Sequence, residues 1–127
     1  MTARLVLDTN VFVAAAFKPD GACAALLREV RAGRRTLVWN PPTRDETRAV
    51  LRRIPRLSWE AVAPLFDAAP PFDGVCDEAA VAFVEDPADR KFAALALAAG
   101  AALVTADAHL LDHAGRLPAL RPSEALG

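Results

Sequence analysis

Three apolar, strand-like runs in this chain each end on an acid: Arg4-Leu5-Val6-Leu7-Asp8, Val81-Ala82-Phe83-Val84-Glu85-Asp86 and Ala102-Leu103-Val104-Thr105-Ala106-Asp107. As neighbouring parallel strands they would share one sheet edge at their carboxyl ends, where open α/β folds place their sites. Carboxylates brought together there repel one another unless a cation sits among them. The chemistry to expect is a metal-dependent acid cluster. Four carboxylates at one edge suit hard divalent ions, Mg²⁺ or Mn²⁺, bound through oxygen with water and a substrate phosphate. One such ion, or two about 3.5–4 Å apart, can activate a water and stabilise a phosphodiester under attack, so phosphoryl transfer is the favoured reaction.

Each acid also has a structural reading. Asp8 ends a buried strand, where a carboxylate is costly unless it caps a helix or meets a cation, and the two explanations are evenly matched. Asp86, followed by Pro87, fits a helix N-cap, which is its better explanation. Asp89, three residues on, suits a capping box or the positive helix end. Glu46 closes a second possible box, Thr43-Arg44-Asp45-Glu46, yet sits at the amino-terminal edge of a core-facing helix surface where it could meet a strand-end acid. Asp107 opens a short helical turn and could cap it. Capping does not explain why acids recur at the end of every central strand. His109 and His113 read as surface histidines, and neither a glycine-rich phosphate loop nor a Ser-His-Asp arrangement is present.

The elements that would position these acids alternate. Leu5–Leu7 lacks polar alternation and should be a central strand. Val11 to Phe17 could form a short helix capped by Asp8 or Asn10, broken at Pro19-Asp20-Gly21. A helix from Ala22 to Arg31 follows, then a strand at Thr36–Trp39. Asn40-Pro41-Pro42 opens a helix to about Arg53 whose Thr47, Val50, Leu51 and Ile54 face the core. Ser58 caps a helix burying Trp59, Val62, Leu65 and Phe66, which Pro64 should kink or shorten. A loop from Asp67 to Glu78, a strand Val81–Val84, a helix Ala88–Ala99 closed by Gly100, a strand Ala102–Thr105 and a helical turn Ala108–Leu111 complete the series. Strands alternating with helices predict an α/β fold, a three-layer α/β/α sandwich around a mainly parallel sheet.

At 127 residues and 54% hydrophobic, residues 1–127 should form a single domain with a substantial core. The net charge of −1 gives no general attraction to polyanions, but it is unevenly placed. Residues 28–56 hold nine of the fifteen basic residues against three acids, so that stretch is +6 and the remainder −7. Within it Arg44, Arg48 and Arg52, each four residues apart, form a stripe that could contact nucleic-acid phosphates beside an acidic centre; a solvated helix face is the commoner fate of such residues. Cys23 and Cys76 have no metal-ligand spacing and read as small buried hydrophobes in a reducing compartment. The longest uncharged stretch, Phe92 to Ala106, is fifteen residues, short of the roughly 20 needed to span a bilayer, so a soluble, cytoplasmic protein without membrane contact is expected.

The ordered set Leu5-Val6-Leu7-Asp8-Thr9-Asn10-Val11, Glu46-Thr47-Arg48-Ala49-Val50-Leu51, Asp86-Pro87-Ala88-Asp89-Arg90-Lys91-Phe92 with Ala94-Leu95-Ala96, and Leu103-Val104-Thr105-Ala106-Asp107 resembles the PIN-domain family of Mg²⁺/Mn²⁺-dependent ribonucleases, and more closely its small bacterial toxin members. The resemblance runs from residue 4 to about residue 112. It implies a cluster of four acids, matched by Asp8, Glu46, Asp89 and Asp107, that binds the metal and places the attacking water, with Asn10 and Thr105 in support. Ala106 departs from the glycine or basic residue of many relatives, and His109 from a further acid. The resemblance also implies an RNA substrate, a cognate antitoxin that covers the acidic groove, and in many members a homodimer. The competing readings are a non-catalytic RNA- or antitoxin-binding module and an aspartate-based phosphatase or phospho-receiver. Asn10, two residues after Asp8, is not the second aspartate that an aspartyl phosphatase would carry.

Overall fold

The computed structural model describes residues 3–127. Its centre is a four-stranded sheet formed by β1 (Ala3–Leu7), β2 (Arg35–Leu37), β3 (Ala102–Val104) and β4 (Ala119–Leu120), in the order β2-β1-β3-β4 and parallel throughout. The register sets Leu5 beside Leu37 and Leu7 beside Val104, and the Asp8 N–H continues the ladder by donating to the Val104 carbonyl at 3.0 Å. The carboxyl ends of β1 and β3 therefore lie side by side.

β1 is apolar on consecutive residues because both faces are covered. Leu5 and Leu7 pack with α1 (Thr9–Phe17), α2 (Ala22–Arg31), α3 (Pro41–Arg53) and α4 (Trp59–Asp67) in one core, while Val6 packs with α5 (Pro87–Ala99) in another. Helices on both faces make the expected three-layer α/β/α sandwich. α6 (Ala108–Leu111) follows β3, and α7 (Pro122–Leu126) returns Ala125 to the first core.

The strong local signals hold. Asn40 accepts from the Thr43 N–H at 3.1 Å while Thr43 Oγ1 accepts from the Asn40 N–H, a reciprocal cap with prolines in the first turn. This box uses Thr43 as its inner member, so the expected Thr43–Glu46 box does not form and Glu46 is left for other partners. Gly100 ends α5 at φ 63°, where a side chain would be strained. Ser58 caps α4, which runs through Pro64 rather than being shortened by it.

Two expectations fail. Residues 81–84 form no strand; a single 3₁₀ turn at Glu78–Val81 leads into the start of α5. Val81 and Val84 are both buried, a spacing of three that fits a turn rather than the alternation of a strand. The Val84 and Ala82 carbonyls accept from Arg90 at 2.8 and 3.2 Å instead of from a neighbouring strand. The place beside β3 is taken by β4, which with α7 lies beyond the last element read from the sequence. The cysteines are free, as expected, but half-buried rather than buried. Among the described residues no single helix is long and apolar enough to cross a membrane.

Candidate functional site

Asp8 occupies the N-cap position of α1, yet its side chain makes no capping hydrogen bond. It is 2% exposed, and its Oδ2 accepts from Thr105 Oγ1 at 2.9 Å. Burial pushes its pKa up; the Thr105 hydroxyl opposes that shift, the Asp107 charge adds to it, and the backbone N–H groups of Asn10 and Thr9 oppose it to a lesser extent. The Thr105 hydroxyl also accepts from the Asp107 N–H at 3.0 Å, so one fully buried side chain ties the acids that follow β1 and β3 together. Thr105, not the start of α1, supplies the short hydrogen bond that fixes the Asp8 side chain.

Capping does account for the other two strand-end candidates in part. Asp86 accepts from the Ala88 N–H at 2.9 Å at the start of α5, and Asp107 accepts from the His109 N–H at 2.9 Å at the start of α6. Each cap bond uses Oδ1, and Oδ2 of both makes no hydrogen bond with another described residue. With the strand at 81–84 absent, Asp86 reaches the edge as a helix cap and not as a strand end.

Glu46 and Asp89 come from α3 and α5, which pack together. Glu46 Oε1 accepts from Lys91 Nζ at 3.0 Å, in an ion pair whose side chains are 21% and 27% exposed. Just beyond it, buried Thr47 shares a 3.0 Å hydroxyl contact with Thr9 and locks this turn of α3 to the start of α1. Asp89 is half-buried and forms no hydrogen bond with a described side chain. Its pKa is pushed up to about 7, first by burial and then by the charges of Asp8, Asp86, Asp107 and Glu46. Five carboxylates therefore act on one another at this edge. Asp8, Asn10, Glu46, Asp86 and Asp89, with the apolar Val50 and Phe92, line a cleft of about 160 Å³. A larger groove of about 470 Å³ lies elsewhere, between α1, α2 and α4, and holds none of these acids.

The donor set fits a hard divalent ion in type, since it is all carboxylate oxygen. As the side chains stand, however, no three potential ligands among the described residues are close enough to hold one ion. The bonds above show why. Asp8 is turned onto Thr105, Glu46 onto Lys91 and Asp107 onto the α6 cap.

The arginine stripe behaves differently from the acids. Arg44 lies over the Trp59 ring at 5.0 Å, Arg48 pairs with Asp45 at 3.5 Å, and Arg52 with Glu60 at 3.9 Å. At about 100° per residue the stripe lies some 160–240° around α3 from Glu46, on its far side. Arg53, exposed at the end of α3, falls within about 20° of Glu46 by the same spacing. His109 is exposed, with Nδ1 3.2 Å from Glu85, whereas His113 is half-buried edge-on to Phe83, so only the first is a surface histidine. The sequence places Thr47 only on the core face of α3 and assigns Lys91 no role. Thr47 carried a signal, a polar residue on the core-facing side of a helix; the Lys91–Glu46 pair spans 45 residues and carried none.

Neither a curated protein nor a solved structure matches the chain. The family model of the PIN domain matches residues 4–109, a span that runs from β1 into α6 and contains every acid of the cleft. PIN domains are typically metal-dependent nucleases. With most of its length matched and the α/β fold to go with it, the chain belongs to the PIN-domain family.

Proposed function

We propose that this PIN domain is an endoribonuclease that hydrolyses RNA phosphodiester bonds with Mg²⁺ or Mn²⁺, and that it acts in the cytoplasm as the toxin of a toxin–antitoxin pair. The observation that carries the proposal is the convergence of Asp8, Glu46, Asp86 and Asp89 on one cleft, where the Glu46–Lys91 contact is the one ion pair of these acids among the described residues. Asp8, Glu46, Asp89 and Asp107 would hold the ion, which supplies charge neutralisation at the phosphate and an activated water. Thr105 holds the Asp8 carboxylate at the strand ends. Asn10, exposed at the cleft mouth, offers an amide to the RNA backbone. A cognate antitoxin and a homodimer belong to the same reading.

The non-catalytic reading, in which the acids only cap helices, is favoured at Asp86 and Asp107 but leaves Asp8, Glu46 and Asp89 unexplained. A phospho-receiver finds no specific support, since Asn10 stands where an aspartyl phosphatase would carry its second aspartate. The test is cleavage of a mixed RNA substrate by the wild type and by Asp8→Asn, each with EDTA, Mg²⁺ and Mn²⁺. Metal-dependent cleavage by the wild type alone supports the proposal. Equal cleavage by a clean preparation of the variant removes the acid edge from the reaction.

A further inference from the structure

We infer that Lys91 is a tethered counter-cation: it occupies Glu46 while no divalent ion is bound and yields that carboxylate when an ion enters. The inference rests on reading the acid edge as a metal site. Among Asp8, Glu46, Asp86, Asp89 and Asp107, Glu46 alone forms an ion pair among the described residues, and Lys91 is its partner at 3.0 Å. Neighbouring Arg90 is committed elsewhere, with Nε and one terminal nitrogen on the Val84 and Ala82 carbonyls. Lys91 is thus the one ammonium paired with a carboxylate of this group among the described residues. Its side chain makes no other hydrogen bond with the described residues, so nothing but Glu46 fixes its end.

The residue type suits exchange. An ammonium on four methylenes is a compact charge that can swing clear by bond rotation, whereas a guanidinium fork held by two bonds is fixed in place. While the pair stands, the Glu46 oxygen that faces Lys91 is withheld from an ion.

The experiment uses Mn²⁺ alone, without RNA. Lys18 and Lys91 are the two lysines of the chain, and Lys18 is exposed and serves as an internal reference. Brief acylation of wild-type protein, quantified peptide by peptide, should show Lys91 modified more readily relative to Lys18 once Mn²⁺ is added. Calorimetric titration of Lys91→Met should give Mn²⁺ affinity about two- to fivefold tighter than wild type, the worth of one partly exposed ion pair that no longer competes, while Lys91→Arg should not tighten. Unchanged or reduced labelling of Lys91 in a wild type that binds Mn²⁺ overturns the exchange and leaves the metal site standing. Weaker Mn²⁺ binding by Lys91→Met does the same. Absence of Mn²⁺ binding by the wild type overturns both readings together.

Discussion

Replacing Asp89 by Asn should make the metal-free protein more stable at pH 8 and leave it unchanged at pH 4. Burial and four neighbouring acids raise the Asp89 pKa from the ordinary 3.8 to about 7. Between those values the folded state holds a proton that the unfolded chain has released, so this group's contribution to stability falls as pH rises from about 4 to about 7 and is level above that. A shift of about three units corresponds to about 4 kcal/mol in a fully enclosed site, at 1.36 kcal/mol per unit. Asp89 is only half-buried, and solvent screening reduces that to about 1–2 kcal/mol. For a domain of this size the gain at pH 8 amounts to a rise in Tm of about 3–8 °C. Thermal unfolding with EDTA at both pH values measures it directly. Added Mn²⁺ should reverse the order, raising the wild-type Tm through binding to the native state and moving the variant much less. A loss of stability in Asp89→Asn at pH 8, or the same gain at pH 4, would refute the electrostatic account of this edge.

The Thr105 hydroxyl donates to a buried carboxylate, and Thr105→Val keeps the shape while removing the donor. We expect a loss of about 1.5–3 kcal/mol in urea unfolding at neutral pH, with part of it recovered in acid as Asp8 takes up a proton; an unchanged midpoint would show that the contact is incidental. On α3, Arg53→Ala should weaken RNA binding and lower the salt slope by about 1, whereas Arg52→Ala, on the far side and paired with Glu60, should leave both near wild type. Filter binding across a salt series separates them, and equal effects would show that facing Glu46 does not define the RNA path.

The helices were legible where the chain carries stop and start chemistry. Asn40-Pro41-Pro42 and Asp86-Pro87 mark the starts of α3 and α5, and Gly100 marks an end that only a left-handed residue completes, so the expected and observed limits agree within a residue. The run 81–84 misled because four apolar residues fit a buried strand and a turn equally well by periodicity. Its tertiary setting decided the matter: Val81 and Val84 face α5, and Arg90 takes the carbonyls that a strand would have paired. β4 was invisible at two residues, because its existence rests on the backbone of β3 rather than on any pattern of its own.

The acids of the cleft show a different limit. One of the three strand-end runs proved not to be a strand, yet its Asp86 still arrives among the others, because in a parallel α/β fold the edge that carries the strand ends also carries the helix starts. An N-cap acid of a helix that follows is delivered to the same place as a strand-end acid, and the positive end of that helix makes its negative charge easier to hold there. Capping and ion binding are therefore not exclusive readings of such a residue. Asp107 spends one oxygen on the His109 N–H and keeps the other, while Asp8, at an N-cap position, gives its side-chain hydrogen bond to Thr105. What the linear order cannot carry is the direction each carboxylate faces, since that is set by partners far away in the chain: Thr105 for Asp8 and Lys91 for Glu46. Those partners keep the acids apart as they stand, and an ion that gathers them must first displace the ammonium of Lys91.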